Sequence, residues 1–271
     1  MRGKGRGSMG SYVPFLLFVV CLGGVAILSG YYLGKYIVSS LSSLKTPSTK
    51  DKAAVQDTGR PAPAVTLSAK GMTLQRVQAG LFNVRDNAEK MVAQLEKAGI
   101  PATMTAEAPY RVIVTLLPSP EAARTVAQSV KAKGFEVMVG KYELQGRSFK
   151  VQGEPGYTDI VKSAVDASWD AIDKSLRAAD AYILGRQPDT KQIVDATSQI
   201  NDVMQKLAAA KAPEGGDAVR KGAESLLSSA SGALQSLTAA ASSGQPSSSV
   251  LGDIAKAVLA YEKAVSALPG E

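Results

Sequence analysis

The chain has 271 residues, 31 Lys and Arg against 24 Asp and Glu, a net charge of +7, no histidine and a single cysteine, Cys21. Without histidine the chain cannot build a Ser-His-Asp triad, a Cys-His dyad or a His-bearing zinc site, and one thiol allows no internal disulfide. Residues 1–70 hold nine Lys and Arg against two Asp and Glu, residues 71–150 eleven against seven, and residues 151–271 eleven against fifteen. The surplus thus falls mainly in the N-terminal quarter, whereas nucleic-acid recognition needs it on one folded face.

No charge interrupts the chain between Arg6 and Lys35. Residues 12–34 are therefore expected to form a transmembrane helix. Val13 to Leu33 would span about 31 Å at 1.5 Å per residue, against a hydrocarbon core of about 30 Å. Pro14 falls in the first turn, and Tyr12, Tyr31, Tyr32 and Tyr36 fall at the two interfaces. Arg2, Lys4 and Arg6 keep the tail, residues 1–11, in the cytoplasm, so everything beyond residue 35 is expected outside the cytoplasmic membrane. The alternative is a cleaved signal peptide. It lacks support from an Ala-x-Ala-like site, and Val20 before Cys21 does not suit a lipoprotein signal. Ala26, Gly30 and Gly34 either let two anchors approach or are ordinary glycine usage in such a helix. Residues 35–71, rich in Ser, Thr, Lys, Ala and Pro, bury too little to offset chain entropy and read as a flexible linker.

Residues 72–145 carry six elements in a definite order. Thr73 to Phe82 alternates, with Leu74, Arg76, Gln78 and Gly80 on one side and Gln75, Val77, Ala79 and Leu81 on the other. Ala88, Met91, Val92, Leu95 and Ala98 follow at helical spacing, ended by Gly99. Pro101 to Glu107 is a short strand, Ala108–Pro109 a turn, and Tyr110 to Leu117 a strand with Val112, Val114 and Leu116 on one face. Ser119 caps a helix with Pro120 and Glu121 in its first turn, Gly134 ends it, and Phe135 to Tyr142 is the last strand. The order βαββαβ is the split βαβ, ferredoxin-like arrangement, in which two helices cover one sheet face and leave the other open.

Several short motifs in this stretch occur together: Val77–Gln78–Ala79–Gly80–Leu81–Phe82, then Asn87–Ala88–Glu89, Leu95 with Ala98–Gly99, Tyr110–Arg111–Val112, and Gly134–Phe135. Their order and spacing resemble the SPOR (sporulation-related repeat) domain. The resemblance implies binding of peptidoglycan glycan strands, denuded of stem peptides, through the open sheet face, in cell division, sporulation or wall remodelling. It assigns Gln78 as an outward-facing amide for sugar hydroxyl and acetamido groups, and Gly80 as room for a sugar beside the backbone. Arg111, Ile113 and Thr115 line the same face if Val112, Val114 and Leu116 face the helices, and Met138, with Glu136 and Gly140, continues it on the last strand. The chain departs from the pattern at Thr115, where glycine is common, and at Leu117, where an aromatic is common. RNA-binding sheets of this topology need stacking aromatics, and this one has only Tyr110 at its edge, so nucleic acid is not expected as a partner.

Residues 146–156 read as a second linker. Beyond it, apolar stripes at helical spacing mark four helices, near 157–185, 189–212, 217–242 and 249–268, whose short connections favour an antiparallel bundle over 157–269. Asp159, Asp166, Asp170, Asp173 and Asp180 share one side of the first of these helices. Such a row either binds a cation or is a solvated face neutralised by the pairs Lys162–Asp166, Asp170–Lys174 and Asp173–Arg177; the pairs favour the second. Trp169 beside it is either partly buried or a partner surface.

The expected fold class is α+β: one transmembrane helix, a ferredoxin-like domain and an all-α bundle. The expected function is a membrane-anchored, non-enzymatic wall-binding protein, with no catalytic residue, metal or cofactor, partnered by glycan strands, by the membrane through one helix, and by a protein that docks on the bundle. Two alternatives stand beside it: a structural scaffold whose modules bind proteins, and a peptidoglycan-active enzyme, which the missing histidine disfavours.

Overall fold

The computed structural model describes residues 64–243 and 248–270. The expected cytoplasmic tail, the membrane helix over 12–34 and the linker up to residue 63 lie outside them. Among the described residues no helix is long and apolar enough to cross a membrane.

The six expected elements of the middle region form as β2 (Met72–Phe82), α1 (Arg85–Lys97), β3 (Thr103–Met104), β4 (Tyr110–Leu117), α2 (Pro120–Ala132) and β5 (Met138–Leu144). They make an antiparallel sheet in the order β3-β4-β2-β5, with each pair of consecutive parallel strands separated by a strand running the other way. That is the split βαβ order. Helix α2 starts where Pro120 occupies the first turn and the Ser119 hydroxyl accepts from Ala122 N at 3.1 Å. Ala122, Ala123, Val126, Ala127 and Val130 form its buried face, and Ala88 and Leu95 that of α1.

Two strands flank this unit where linkers are expected. β1 (Ala64–Ala69) pairs antiparallel with β6 (Arg147–Gln152), Leu67 opposite Phe149. The linker readings of 35–71 and 146–156 are thereby corrected at 64–69 and 147–152. The alternation is present in both segments: Leu67, Ala69, Phe149 and Val151 are buried while Ser68, Ser148, Lys150 and Gln152 are exposed. The polar half of that period makes each segment look like a solvated connection. A two-stranded ribbon is marginal alone, and here its apolar side gains a partner in the helix Pro155–Ile183, which packs on β1. The β1–β6 ladder prolongs the β2–β5 ladder after a break at Lys70–Gly71 and Gln145–Gly146. There the backbones pass so closely that a Cβ on Gly71 would stand 2.4 Å from the Leu144 carbonyl oxygen.

The remaining helices are α3 (Pro155–Ile183), α4 (Thr190–Ala209), α5 (Asp217–Ser243) and α6 (Ser248–Ala267). α3 packs on α4 and α5, and α5 on α4 and α6. Their core is built from small and aliphatic residues at helical spacing, such as Val161, Val165, Ile172 and Leu176 on α3 and Leu226, Leu234 and Leu237 on α5. The acidic row on α3 is neutralised as its spacing requires: Lys162–Asp166 and Lys174–Asp170 meet at 2.6 Å and Arg177–Asp173 at 2.7 Å. Asp180 instead reaches α2, accepting from the Ser119 hydroxyl at 2.9 Å. No cluster of carboxylates or thiols suited to a metal occurs among the described residues.

The helices are not a separate body tethered to the sheet. α3 and α6 both pack against β4, α6 also reaches β3, and sheet and helices fall in one structural unit.

Candidate functional site

β4 is buried on both sides. Val112, Val114 and Leu116 alternate with Ile113, Thr115 and Leu117, and all six are at most 1% exposed. Two helices account for one face in a βαββαβ unit; the other is closed by the C-terminal helices. The Thr115 hydroxyl donates to the Leu251 carbonyl of α6 at 3.4 Å, and the Tyr142 hydroxyl of β5 donates to the Glu262 carboxylate of the same helix. The expectation of an open sheet face is therefore corrected: α6 lies across it.

The strand register puts Thr103, Ile113, Gln78 and Met138 in one row across the four strands. Directly opposed residues share a face, so Gln78, Ile113 and Met138 do lie on the same side. Their exposures differ sharply. Gln78 is 5% exposed, Ile113 and Thr115 are fully buried, and Met138, on the edge strand, is 67% exposed. Gln78, Ile113 and Thr115 are thus not accessible in this arrangement. Arg111 is half-buried, and its guanidinium donates to Gln78 Oε1 at 3.4 Å. Gly80 is half-buried for a local reason. A Cβ there would stand 2.5 Å from the Phe82 ring, so the ring takes the room that the sequence reading reserves for a sugar.

Three further residues belong to this face. Arg76 lies 5.8 Å from the Tyr142 ring centroid, and Glu262 faces Tyr142 from α6. Arg76 alternates in phase with Gln78, which places it on this side; nothing in the sequence pairs Tyr142 with a residue 120 positions away. Burial, and then the neighbouring charge of Arg111, lower the Arg76 pKa from its ordinary value, and Arg76 Nε is buried without a hydrogen-bond partner. Burial first, and then the hydrogen bond to Glu262, raise the pKa of Tyr142. At the margin of the face a cleft of about 650 Å³ opens between the β3–β4 connection and α6, with Thr105, Glu107, Arg111, Lys256 and Lys263 on its walls. The face as a whole offers one amide, two guanidinium groups and hydroxyls, a set that hydrogen-bonds polar ligands.

No curated protein matches the chain. Among solved structures it is similar to the solution structure of the peptidoglycan binding domain of B. subtilis cell wall lytic enzyme CwlC, at 28% identity, over 26% of this chain and 91% of that one, with a TM-score of 0.24. The family model described as the SPOR domain matches residues 75–140, which run from within β2 into β5. The segment bearing Gln78, Arg111 and Met138 is a SPOR domain.

Proposed function

We propose that this is a single-pass, membrane-anchored extracytoplasmic protein that binds peptidoglycan glycan strands, in their denuded form, through its SPOR domain. The observation that carries the reading is the family match over residues 75–140, coincident with the βαββαβ sheet. The uncharged stretch between Arg6 and Lys35, with its basic flank, supports the anchor and its orientation. The Gln78 amide and the Arg111 guanidinium supply donors and acceptors for hydroxyl and acetamido groups. Binding serves division, sporulation or wall remodelling, and the protein acts by attachment rather than by catalysis.

The test is co-sedimentation of the detergent-solubilised full chain with purified sacculi, with and without prior amidase treatment to strip stem peptides. Retention rises on treated sacculi. Equal retention on both overturns the preference for denuded glycan. A second reading is a scaffold in which the sheet face serves only as an internal interface; the complete burial of Ile113 and Thr115 favours it. It predicts no retention on either kind of sacculus.

A further inference from the structure

We propose that α6 is an intramolecular cover of the SPOR sheet face, latched by Glu262, and that α6 and the glycan strand compete for that face. The inference rests on the glycan reading above and adds its regulation.

The two sides of the sheet differ in chemistry. Toward α2 the buried groups are aliphatic: Val114 lines one cavity together with Val126 and Val130. Toward α6 the covered groups include Arg76, Gln78, Arg111, Thr115 and Tyr142. Polar groups taken out of water need full hydrogen bonding to break even. Here the pairing is thin. Arg76 Nε has no partner, and the Arg111–Gln78 and Thr115–Leu251 bonds are both 3.4 Å long. Two guanidinium groups lie under the helix, and the cleft beside them adds Lys256 and Lys263 from α6 itself. Glu262 is the carboxylate that α6 places against this group. A surface built this way suits a hydroxyl-rich ligand better than it suits a helix.

α6 itself is divided in the same sense. Ile254, Val258, Tyr261 and Val265 are almost fully buried and run down one side. Tyr261 feels Asp166 of α3, and Asp253 accepts from Ser236 of α5 at 3.1 Å, so that side belongs to the bundle. On the side toward the sheet, Leu251, Leu259 and Glu262 are half-buried, and Gly252 against Pro101 is the buried residue of that side. The helix thus keeps its own core when the sheet contact opens. The chain passes from the sheet layer to the helical layer once, at Gly153–Glu154. Gly153 holds φ +152, and the backbone pairing across the layers is the isolated bridge between Phe149 and Gly270. Parting α6 from the sheet therefore dismantles no helix and no strand ladder.

Two readouts on the full chain, with Cys21→Ser as background, test the cover. The first is a clamp. Gly252 and Pro101 are so close that their Cβ atoms would stand 2.6 Å apart, and a shift of roughly 1 Å brings a disulfide to its usual Cβ separation. The variant with Pro101→Cys and Gly252→Cys, oxidised, is retained several-fold less on amidase-treated sacculi than the same protein after reduction. Equal, substantial retention in both states overturns the cover and leaves glycan binding standing. The second needs no sugar. Thr115→Cys carries a thiol under α6, and its native-state labelling by a maleimide reports opening. Adding Glu262→Gln speeds labelling about tenfold or more, the loss expected for one charge-assisted hydrogen bond. Labelling no faster than global unfolding, with or without Glu262→Gln, overturns the cover. If labelling accelerates but no variant sediments, the helix opens and the glycan reading alone fails.

Discussion

Tyr142 and Tyr261 hold their hydroxyls in places where a phenolate is costly. Both have pKa values raised above the ordinary 10.0, and in both the first cause is burial; Tyr142 adds its hydrogen bond to Glu262. A group whose pKa is higher in the folded state stabilises the fold fully below its unfolded pKa. That contribution is lost as pH rises through the folded value. Stability should therefore hold level to about pH 9 and then fall by up to about 1.4 kcal/mol per pH unit for each such tyrosine. Urea midpoints between pH 8 and pH 11 check this, and Tyr142→Phe with Tyr261→Phe should flatten the decline. A decline of the same slope in the double variant would assign the loss to other groups. Glu262 shows why this face escapes a reading of the sequence. Its position on a helix of alternating apolar and polar residues looks like ordinary solvent exposure, and what fixes its role is Tyr142 on a distant strand.

Gly71 controls how two ladders share one pair of strands. The backbone runs β1 to β2 on one side and β5 to β6 on the other, and the two segments pass very close at Gly71 and Gly146. A Cβ on Gly71 would meet backbone atoms at 2.4 and 2.6 Å, and backbone does not yield as a side chain does. Gly71→Ala should cost about 2 kcal/mol or more, read as a lower denaturant midpoint at unchanged slope, in the range of overpacking at close contacts. A change below about 0.5 kcal/mol would mean the close approach widens freely. The βαββαβ order can be read because each of its elements carries its own signal, such as the Ser119–Pro120 start of α2 or the alternation of β4. β1 and β6 carry equally good alternation, but only six residues each, in segments rich in Ser, Lys and Gln. Their stability comes from each other across about 80 residues and from α3. Helices α3 to α6 stand out in the sequence because their stripes run for five turns or more. Which of their outer faces meets the sheet is set by packing that no local pattern records.

The net charge takes on a different meaning once the two layers are seen in contact. Residues 71–150, which hold the sheet, carry eleven Lys and Arg against seven Asp and Glu; residues 151–271, which hold the helices, carry eleven against fifteen. Layers of net +4 and −4 attract over distances that the short polar contacts at Thr115 and Tyr142 do not reach. Locally the sign is mixed, since Lys256, Lys263 and Glu262 of α6 line one cleft with Arg111. The long-range part of the attraction is screened by salt. The Debye length falls from about 10 Å at 0.1 M to about 3 Å at 1 M. The apolar cores of sheet and bundle do not depend on it in that way. Raising salt from roughly 0.1 M to 1 M should therefore loosen the docking of one layer on the other before it loosens either layer. With Thr115→Cys as the probe, maleimide labelling should accelerate several-fold while the urea midpoint stays within error. Unchanged labelling would mean the layers are held by the buried aliphatic contacts of Ile113 and Leu117 alone. Labelling that tracks the urea midpoint would mean sheet and helices unfold as one.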